Sequence, residues 1–423
     1  MNKYQKKIYK KIGDIDLELK VDKLIISDTV RAALSNPSSL NMEEEYDYPA
    51  IHQLDEPPIK FLFIKELYQS GILQQIHGDV PDLTDFKTYL AWCPGVTFPD
   101  KLLYSGVRDH KELSSFYDIL FGLSGNRRFL HRLLYDNNFV STDVHQDAET
   151  SDLVYQRYVN SMTTLHVFRK KGSTIDLKKV EAILSVMHEI AKSIGKAKKV
   201  EITMFISNQK KTITRRGVLG PENVNSGSTL HDHYVNVWRD EELYKVLIHE
   251  LIHYYGFDYF CDQECVKTHQ TKIKIDGRDF CNESYTESLA ILIYSLVIGG
   301  DINRLISDEL KFYLFQVAKI INHYGGKSWD DISNITFTQG TSVFSYYVVK
   351  ALIFMNLNKF IEMINTHGLV VNCQQFKAFA RELVDSEIDS KYKDIINRLI
   401  SNTDWEDKNY ITNTMRMSFM EWT

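Results

Sequence analysis

The sequence HELIH at residues 249–253 has the residue types and the spacing of a zinc site. Residues four apart lie on the same face of a helix, so His249 and His253 can reach one Zn²⁺ while Glu250 points toward a water bound to the metal. Zn²⁺ lowers the pKa of such a water to about 7 and polarises a carbonyl group. The motif therefore predicts hydrolysis of amide bonds, with Glu250 as the general base.

Independent features predict that this motif lies on a helix over residues 241–255. Asp240 is a typical N-cap residue, and Glu241 suits the positive end of a helix. Leucines at 243, 247 and 251 form an apolar stripe, and Gly256 can end the helix.

Two further carboxylates open the apolar helix predicted at residues 282–298. Glu283 and Glu287 are four residues apart and share one helical face. Unpaired carboxylates in such an apolar helix would be costly to bury, so they need a cation. Glu283 can supply the third protein ligand, and Glu287 can accept the second ring N–H of a ligating histidine. Alternatively, both carboxylates interact only with the helix macrodipole.

Together, HELIH and the later NESYTE resemble the gluzincin zinc metallopeptidases, in which HExxH gives two ligands and NExxx[DE] gives a glutamate ligand and a supporting acid. The resemblance implies that His249, His253 and Glu283 bind Zn²⁺ and that Glu287 supports them. The segment between the two motifs is longer than in thermolysin-like members, which implies an insertion. Residues 223–352 also resemble proteins of large cytoplasmic DNA viruses that are assigned as metallopeptidases.

Other zinc-peptidase classes fit the sequence less well. A metzincin would continue as HExxHxxGxxH, but Tyr259 stands at the third ligand position. A class with an aspartate ligand could use Asp258 or Asp262, and it stays an alternative.

Substrate-binding candidates follow from the needs of the reaction. The tetrahedral intermediate of amide hydrolysis needs a hydrogen-bond donor for its oxyanion. We expect Tyr346 to supply it, with Tyr347 and His323 as alternatives. The predicted strand 234–239 is the candidate edge strand for pairing with an extended peptide. Residues 223–227 have the composition of a turn, with a loop that contacts substrate as the alternative.

Cysteines and further histidines give two weaker metal candidates. A second, structural zinc could be bound by residues of the expected insertion, namely Cys261, Cys265, His269 and Cys281. The alternative is that these cysteines are reduced and buried as small hydrophobic residues. The tripeptide His231-Asp232-His233 could also ligate a metal, although such polar loops are more often only solvated.

The overall composition restricts the partners and the compartment. Lys and Arg number 50 against 56 Asp and Glu, a net charge of −6, so nucleic acid is not an expected partner. Five cysteines favour a reducing compartment. No apolar run reaches the roughly 18 residues of a spanning helix, and no signal-peptide core is present. We expect a protein or peptide substrate and an intracellular, cytoplasmic location, with virion association if the protein is viral. The oligomeric state is open.

The order of predicted elements gives an α+β fold with two domains. Residues 1–150 alternate short apolar stretches with turn-rich segments, which predicts a mainly helical N-terminal domain of unknown role. Residues 151–423 predict a zincin-like catalytic domain, with a small mixed sheet followed by a helical lobe. Helices are expected near 176–194, 241–255, 282–298, 303–324, 342–357 and 373–399. An alternative to a peptidase is a catalytically silent zincin-fold protein with a structural or interaction role.

Overall fold

A computed structural model describes residues 20–48, 127–135, 139–213, 217–258, 273–407 and 409–421, with a few positions before residue 20. In these ranges the chain is a mixed α/β protein with a mixed sheet and many helices, which confirms that part of the expected fold. None of the helices in the described ranges has the length and apolar character needed to cross a membrane.

In the described ranges, six strands form the main sheet in the order β1-β2-β3-β4-β6-β5. The pairs β3–β4 and β4–β6 are parallel, and the remaining pairs are antiparallel. Two further strands, β7 and β8, form a separate parallel pair. The strands are β1 Asn41–Tyr48, β2 Leu153–Val159, β3 Thr163–Lys170, β4 Val200–Ile206, β5 Gly227–Leu230, β6 Tyr234–Val237, β7 Lys274–Gly277 and β8 Thr336–Gln339.

The prediction that residues 234–239 form the edge strand is wrong. β6 lies between β4 and β5, and the strand at this edge of the described sheet is β5, Gly227–Leu230. Its four residues GSTL show no apolar alternation, so the sequence carries no strand signal there. The segment expected to be a turn, 223–227, is the end of a short helix and the start of this strand.

Helices make up most of the remaining described chain. They are α1 Ser27–Ser35, α2 Arg127–Tyr135, α3 Thr142–Thr150, α4 Leu177–Ser193, α5 Pro221–Val224, α6 Leu243–Tyr255, α7 Cys281–Ile298, α8 Ile302–His323, α9 Lys350–Met355, α10 Leu357–His367, α11 Cys373–Asp385, α12 Ser390–Asn402 and α13 Tyr410–Asn413. The helices expected at 176–194, 282–298 and 303–324 are confirmed to within a residue at each end.

Two predicted helices differ from the observed ones. The helix expected at 373–399 is interrupted after Asp385, because Asp389 caps a new helix by accepting a hydrogen bond from the Lys391 amide at 2.9 Å. The helix expected at 342–357 begins as a π-helix, Phe344–Val349, and continues as α9.

The start of α6 also differs from the prediction. Asp240 does not cap the helix, since its carboxylate pairs with Lys210 Nζ at 2.8 Å. The cap position is Glu242, which has a left-handed backbone with φ 62° and makes no capping bond with its own side chain. The first turn of α6 therefore depends on groups from elsewhere in the fold.

The described part of the first 150 residues joins the same sheet and core. β1 pairs with β2 from Asn41 to Tyr48, with a register shift between Met42 and Glu44, and α1 packs against α4. The acidic sequence NMEEEYDY of β1 gave no strand signal, so this contribution was not expected. Residues 49–126, on which most of the predicted N-terminal domain falls, lie outside the described residues.

Apolar side chains cover both faces of the main sheet. In β6, Val235 and Val237 belong to the large core that includes α4 and α6. Trp238, directly after β6, belongs to a smaller cluster with Phe129 and Leu133 of α2 on the other face. Successive side chains of a strand point to opposite faces of the sheet, which places Val235 and Val237 on one face and Trp238 on the other. The helix α6 packs against the face that carries the two valines.

Two cysteines of the described residues differ from the expected reduced state. Cys281 and Cys373 each take part in a disulfide. A disulfide sulfur is not a thiolate, so Cys281 is not a ligand for a second zinc, and this part of the prediction is wrong. Cys261, Cys265 and His269 lie outside the described residues. Disulfides are more typical of oxidising compartments, and a count of cysteines could not show which of them approach each other.

Candidate metal site

Two packed helices position the candidate site. α6 carries His249, Glu250 and His253, and it packs against α7, which carries Glu283 and Glu287. α6 ends where expected, at Gly256 with φ 62°, whose N–H donates to the His253 carbonyl at 3.0 Å.

Three potential ligand atoms form a small triangle between these helices. His249 Nε2 and His253 Nε2 are 3.0 Å apart, and they lie 3.3 Å and 3.4 Å from Glu283 Oε2. A tetrahedral Zn²⁺ with bonds of about 2.0–2.2 Å places its ligand atoms about 3.3–3.6 Å apart. The two distances to Glu283 fall in this range and the distance between the histidine nitrogens is slightly shorter, so the triangle is close in size to one face of such a tetrahedron.

The outer ring nitrogens show which way the inner ones face. His249 Nδ1 lies 2.9 Å from Glu287 Oε2, and His253 Nδ1 lies 2.6 Å from Asp258 Oδ2. Because these carboxylates accept the Nδ1 protons, both Nε2 atoms present lone pairs to the centre of the triangle. Glu283 Oε2 is buried there without a hydrogen-bond donor. Burial alone would lower the pKa of both histidines, but the carboxylates of Glu283, Glu287 and Asp258 raise it, so the three atoms attract positive charge and can hold either protons or a cation.

Asp258 contacts the outer nitrogen of a histidine and is not one of the three converging groups. Besides the His253 ring, its Oδ2 accepts hydrogen bonds from Asn282 Nδ2 and Thr286 Oγ1, both at 3.0 Å. The alternative in which Asp258 is itself a ligand is therefore wrong, and Asp262 lies outside the described residues. In the sequence, Asp258 is only an aspartate two residues beyond the glycine that ends α6. That position fitted a metal ligand as well as a hydrogen-bond partner of His253.

Glu287 is held by two buried lysines. Lys245 Nζ lies 2.8 Å and Lys350 Nζ lies 3.3 Å from its Oε1. Burial alone would raise the pKa of Glu287, but these two ammonium groups and the His249 contact hold that pKa well below its usual value. Glu287 therefore stays ionised and can fix the His249 ring by accepting its Nδ1–H.

Glu250 lies beneath the edge strand. Thr229 Oγ1 in β5 donates to Glu250 Oε2 at 2.7 Å. A Cβ added at Gly227 would lie 2.4 Å from Glu250 Oε1, so the glycine leaves space for this carboxylate. Burial raises the pKa of Glu250, and the neighbouring His249 and His253 act against that rise. The carboxylate is thus held in a defined position next to the three ligand atoms.

Tyr346 is the candidate oxyanion donor that reaches the site. Its ring centre lies 6.3 Å from that of His249, and its hydroxyl is near enough to Glu283 for that carboxylate to act on its pKa. Burial and the nearby carboxylates raise its pKa well above the usual value, so the hydroxyl stays protonated. The other two candidates lie elsewhere, because Tyr347 donates to the Met415 carbonyl at 2.5 Å and His323 Nε2 contacts the Gly217 carbonyl at 3.0 Å.

A cavity of about 340 Å³ opens onto these groups. Its lining includes His249, His253, Glu283, Glu250, Glu287 and Tyr346, the residues first expected for the catalytic zinc site. Residues 225–229, at and before the edge strand, line it as well. The tripeptide His231-Asp232-His233 forms the turn between β5 and β6 and does not line the cavity.

The segment 410–421 completes the first turn of α6. Glu421 accepts hydrogen bonds from the amides of Lys245 at 2.8 Å and Tyr244 at 3.2 Å. The Met417 amide donates to Glu242 Oε1 at 3.0 Å. Glu421 therefore caps from a distance the helix that carries both histidines, a role that the sequence did not reveal.

No family model, no curated protein and no solved structure matches this chain. The function must therefore be argued from the site itself.

Proposed function

We propose that this protein is a zinc-dependent peptidase that hydrolyses peptide bonds with metal-activated water. The observation that carries the proposal is the triangle of three inward-facing acceptor atoms on His249, His253 and Glu283. Its size suits Zn²⁺ better than larger cations such as Ca²⁺, which take six to eight oxygen ligands at longer distances.

Each remaining group has a role in hydrolysis. Bound Zn²⁺ would supply a water of lowered pKa and polarise the substrate carbonyl. Glu250 accepts the proton of the attacking water and returns it to the leaving amine. Tyr346 donates its hydroxyl hydrogen bond to the carbonyl oxygen as negative charge develops. Thr229 keeps the Glu250 carboxylate in place between these steps.

The edge strand β5 suits an extended peptide. The Ser226 carbonyl accepts a hydrogen bond from the Trp238 amide at 2.9 Å, so alternate residues from Ser226 onward pair with β6. Gly227 and Thr229 then direct their backbone N–H and C=O groups to the open edge. A substrate that pairs with this edge would pass directly over Glu250.

Digestion of a peptide library tests the proposal. We expect the zinc-loaded protein to cleave peptides, and we expect Glu250→Gln to keep its zinc while losing activity by several orders of magnitude. A zinc chelator should abolish cleavage by the wild type. Equal cleavage by both proteins would overturn the role of Glu250. Tight zinc binding without cleavage of any peptide would favour the catalytically silent zincin-fold alternative.

A further inference from the structure

Among the Lys and Arg side chains that line the cavity, one has no acidic partner within the described residues. Three basic side chains line it, namely Lys211, Lys245 and Arg278. Lys211 pairs with Glu242 at 2.8 Å, and Lys245 pairs with Glu287 at 2.8 Å. Arg278 is exposed and pairs with no acidic side chain of the described residues. No described carboxylate therefore competes with a molecule that enters the cavity for this positive charge.

The backbone that carries Arg278 is firmly held. Its carbonyl accepts a hydrogen bond from Gln339 Nε2 at 2.5 Å, and the next residue, Asp279, accepts from Ser345 Oγ at 3.0 Å. The Phe280 amide donates to Ser342 Oγ at 3.0 Å. These hydrogen bonds attach residues 278–280 to the segment that carries Tyr346. The backbone of Arg278 is therefore held in place beside the proposed reacting groups.

Arg278 also lies close to the expected path of a peptide. The cavity is lined both by residues 225–229, at and before the edge strand, and by residues between Arg278 and Glu283. A peptide extended along β5 above Glu250 therefore passes within reach of a long side chain at position 278. A guanidinium group binds a carboxylate through two parallel hydrogen bonds, which gives both affinity and orientation.

We propose that Arg278 binds a carboxylate of the substrate, so that the protein selects peptides with an acidic group close to the cleaved bond. The carboxylate comes from an Asp or Glu side chain or from a free C-terminus, since both present the same chemical group. This inference rests on the proposed peptidase function and adds the substrate class.

Cleavage of matched peptide pairs tests the inference. One series replaces Glu by Gln at each position around the cleaved bond, and a second compares a free C-terminus with a C-terminal amide. We expect kcat/KM of the wild type to fall about 10- to 100-fold when the recognised carboxylate is neutralised. The series that shows the fall identifies the source of the carboxylate.

Variants assign the preference to Arg278. Arg278→Gln should cleave the acidic and neutral peptides of the sensitive pair equally, while Lys274→Gln, a change at an exposed lysine of β7 outside the cavity, should keep the wild-type preference. Zinc content should be unchanged in both. Cleavage by the wild type without any acidic preference, or an unchanged preference in Arg278→Gln, would overturn the role of Arg278 and leave the peptidase function intact. If the wild type cleaves no peptide, the proposed function fails and this inference fails with it.

Discussion

Gly227 lacks a side chain at the point where the carboxylate of Glu250, the proposed general base, packs against β5. Replacing it by alanine places a methyl group 2.4 Å from Glu250 Oε1, so the carboxylate must move. Displacement of a reacting group by about 1 Å can cost about 100-fold in rate, and we expect a loss of this size in kcat for Gly227→Ala. Peptide hydrolysis and zinc content measured on the same preparation check this.

Leu230→Ala is the matched control for that substitution, because Leu230 is in the same strand but does not line the cavity. It should keep most of the activity. Full activity in Gly227→Ala would show that Glu250 does not need its observed position.

Asp258 should be needed for tight metal binding although it is not a ligand. Asp258→Asn removes the charge that holds the His253 ring, and loss of such a partner typically weakens metal affinity by about 10- to 100-fold. Competition with a chromophoric zinc chelator measures this affinity. The exposed Asp276 of β7 provides the control, and Asp276→Asn should bind zinc as the wild type does. Equal affinity of all three proteins would contradict the orienting role of Asp258.

At the residue scale, local spacing explains what could be predicted. His249 and His253 face the same point because a helix brings residues four apart together, and the same rule relates Glu283 to Glu287. Asp258 follows the end of α6, where the chain direction is set by tertiary contacts, so its distance from His253 could not be read from the sequence. Arg278 likewise reaches the cavity only through the pairing of β7 with β8.

At the scale of elements, the first turn of α6 depends on Glu421. Burial raises the pKa of this carboxyl to about 7, although the Lys245 and Tyr244 amides and Arg416 favour its charged form. A raised pKa in the folded protein means that the stability linked to this group is fully present below its unfolded pKa, near 4.5, and is lost as the pH rises through 7.

Glu421→Gln should therefore change how stability depends on pH. Glutamine keeps a carbonyl oxygen for the helix amides but does not ionise. The measured quantity is the free energy of unfolding of the wild type minus that of Glu421→Gln. This difference should fall as the pH rises from 4.5 to 7, by at most about 1.4 kcal/mol per pH unit. Urea denaturation at several pH values measures it, with Glu362→Gln as the control for loss of an exposed carboxyl group. A difference that stays constant over this window would contradict the assignment.

The elements that were not predicted have no local sequence signal, because contacts with other parts of the fold determine their structure. β5 is short and contains Gly, Ser and Thr, so only its pairing with β6 makes it a strand. The π-helix Phe344–Val349 has the composition of an ordinary buried helix, and nothing in its sequence marks the wider turn. Long amphipathic helices such as α4 and α8 carry their own periodic signal and were predicted closely.

At the scale of the whole molecule, the proposed zinc site predicts that metal binding stabilises the folded state. A ligand that binds only the folded state at 100 times its Kd stabilises that state by about 2.7 kcal/mol. We expect Zn²⁺ at that concentration to raise the free energy of unfolding of the chelator-treated protein by this amount, as measured by urea denaturation. His253→Ala should lose the gain, whereas His233→Ala, which changes an exposed histidine outside the cavity, should retain it. An equal gain in His253→Ala would show that zinc stabilises the fold from another site.

The main sheet contains a strand from the first 150 residues, which the composition of that strand did not predict. β1 reaches the sheet from well within the segment assigned to a separate N-terminal domain. Its four acidic residues are mostly exposed, so it lacks the buried face from which strands are recognised. The described core is therefore assembled from both sides of the predicted boundary at residue 150.

The bond between Lys245 and Glu421 joins residues 176 positions apart, and this separation bears on the order of folding. Contacts that close long loops carry a larger entropic cost and tend to form after local helices and hairpins. We therefore expect α6 to form early with an open first turn and to gain its cap only when the segment 410–421 docks. If the first turn of α6 and the segment 410–421 open as one unit, their amides should exchange at similar rates. We therefore expect the hydrogen-exchange rates of the Tyr244 and Lys245 amides to match those of Met417, Phe419 and Met420.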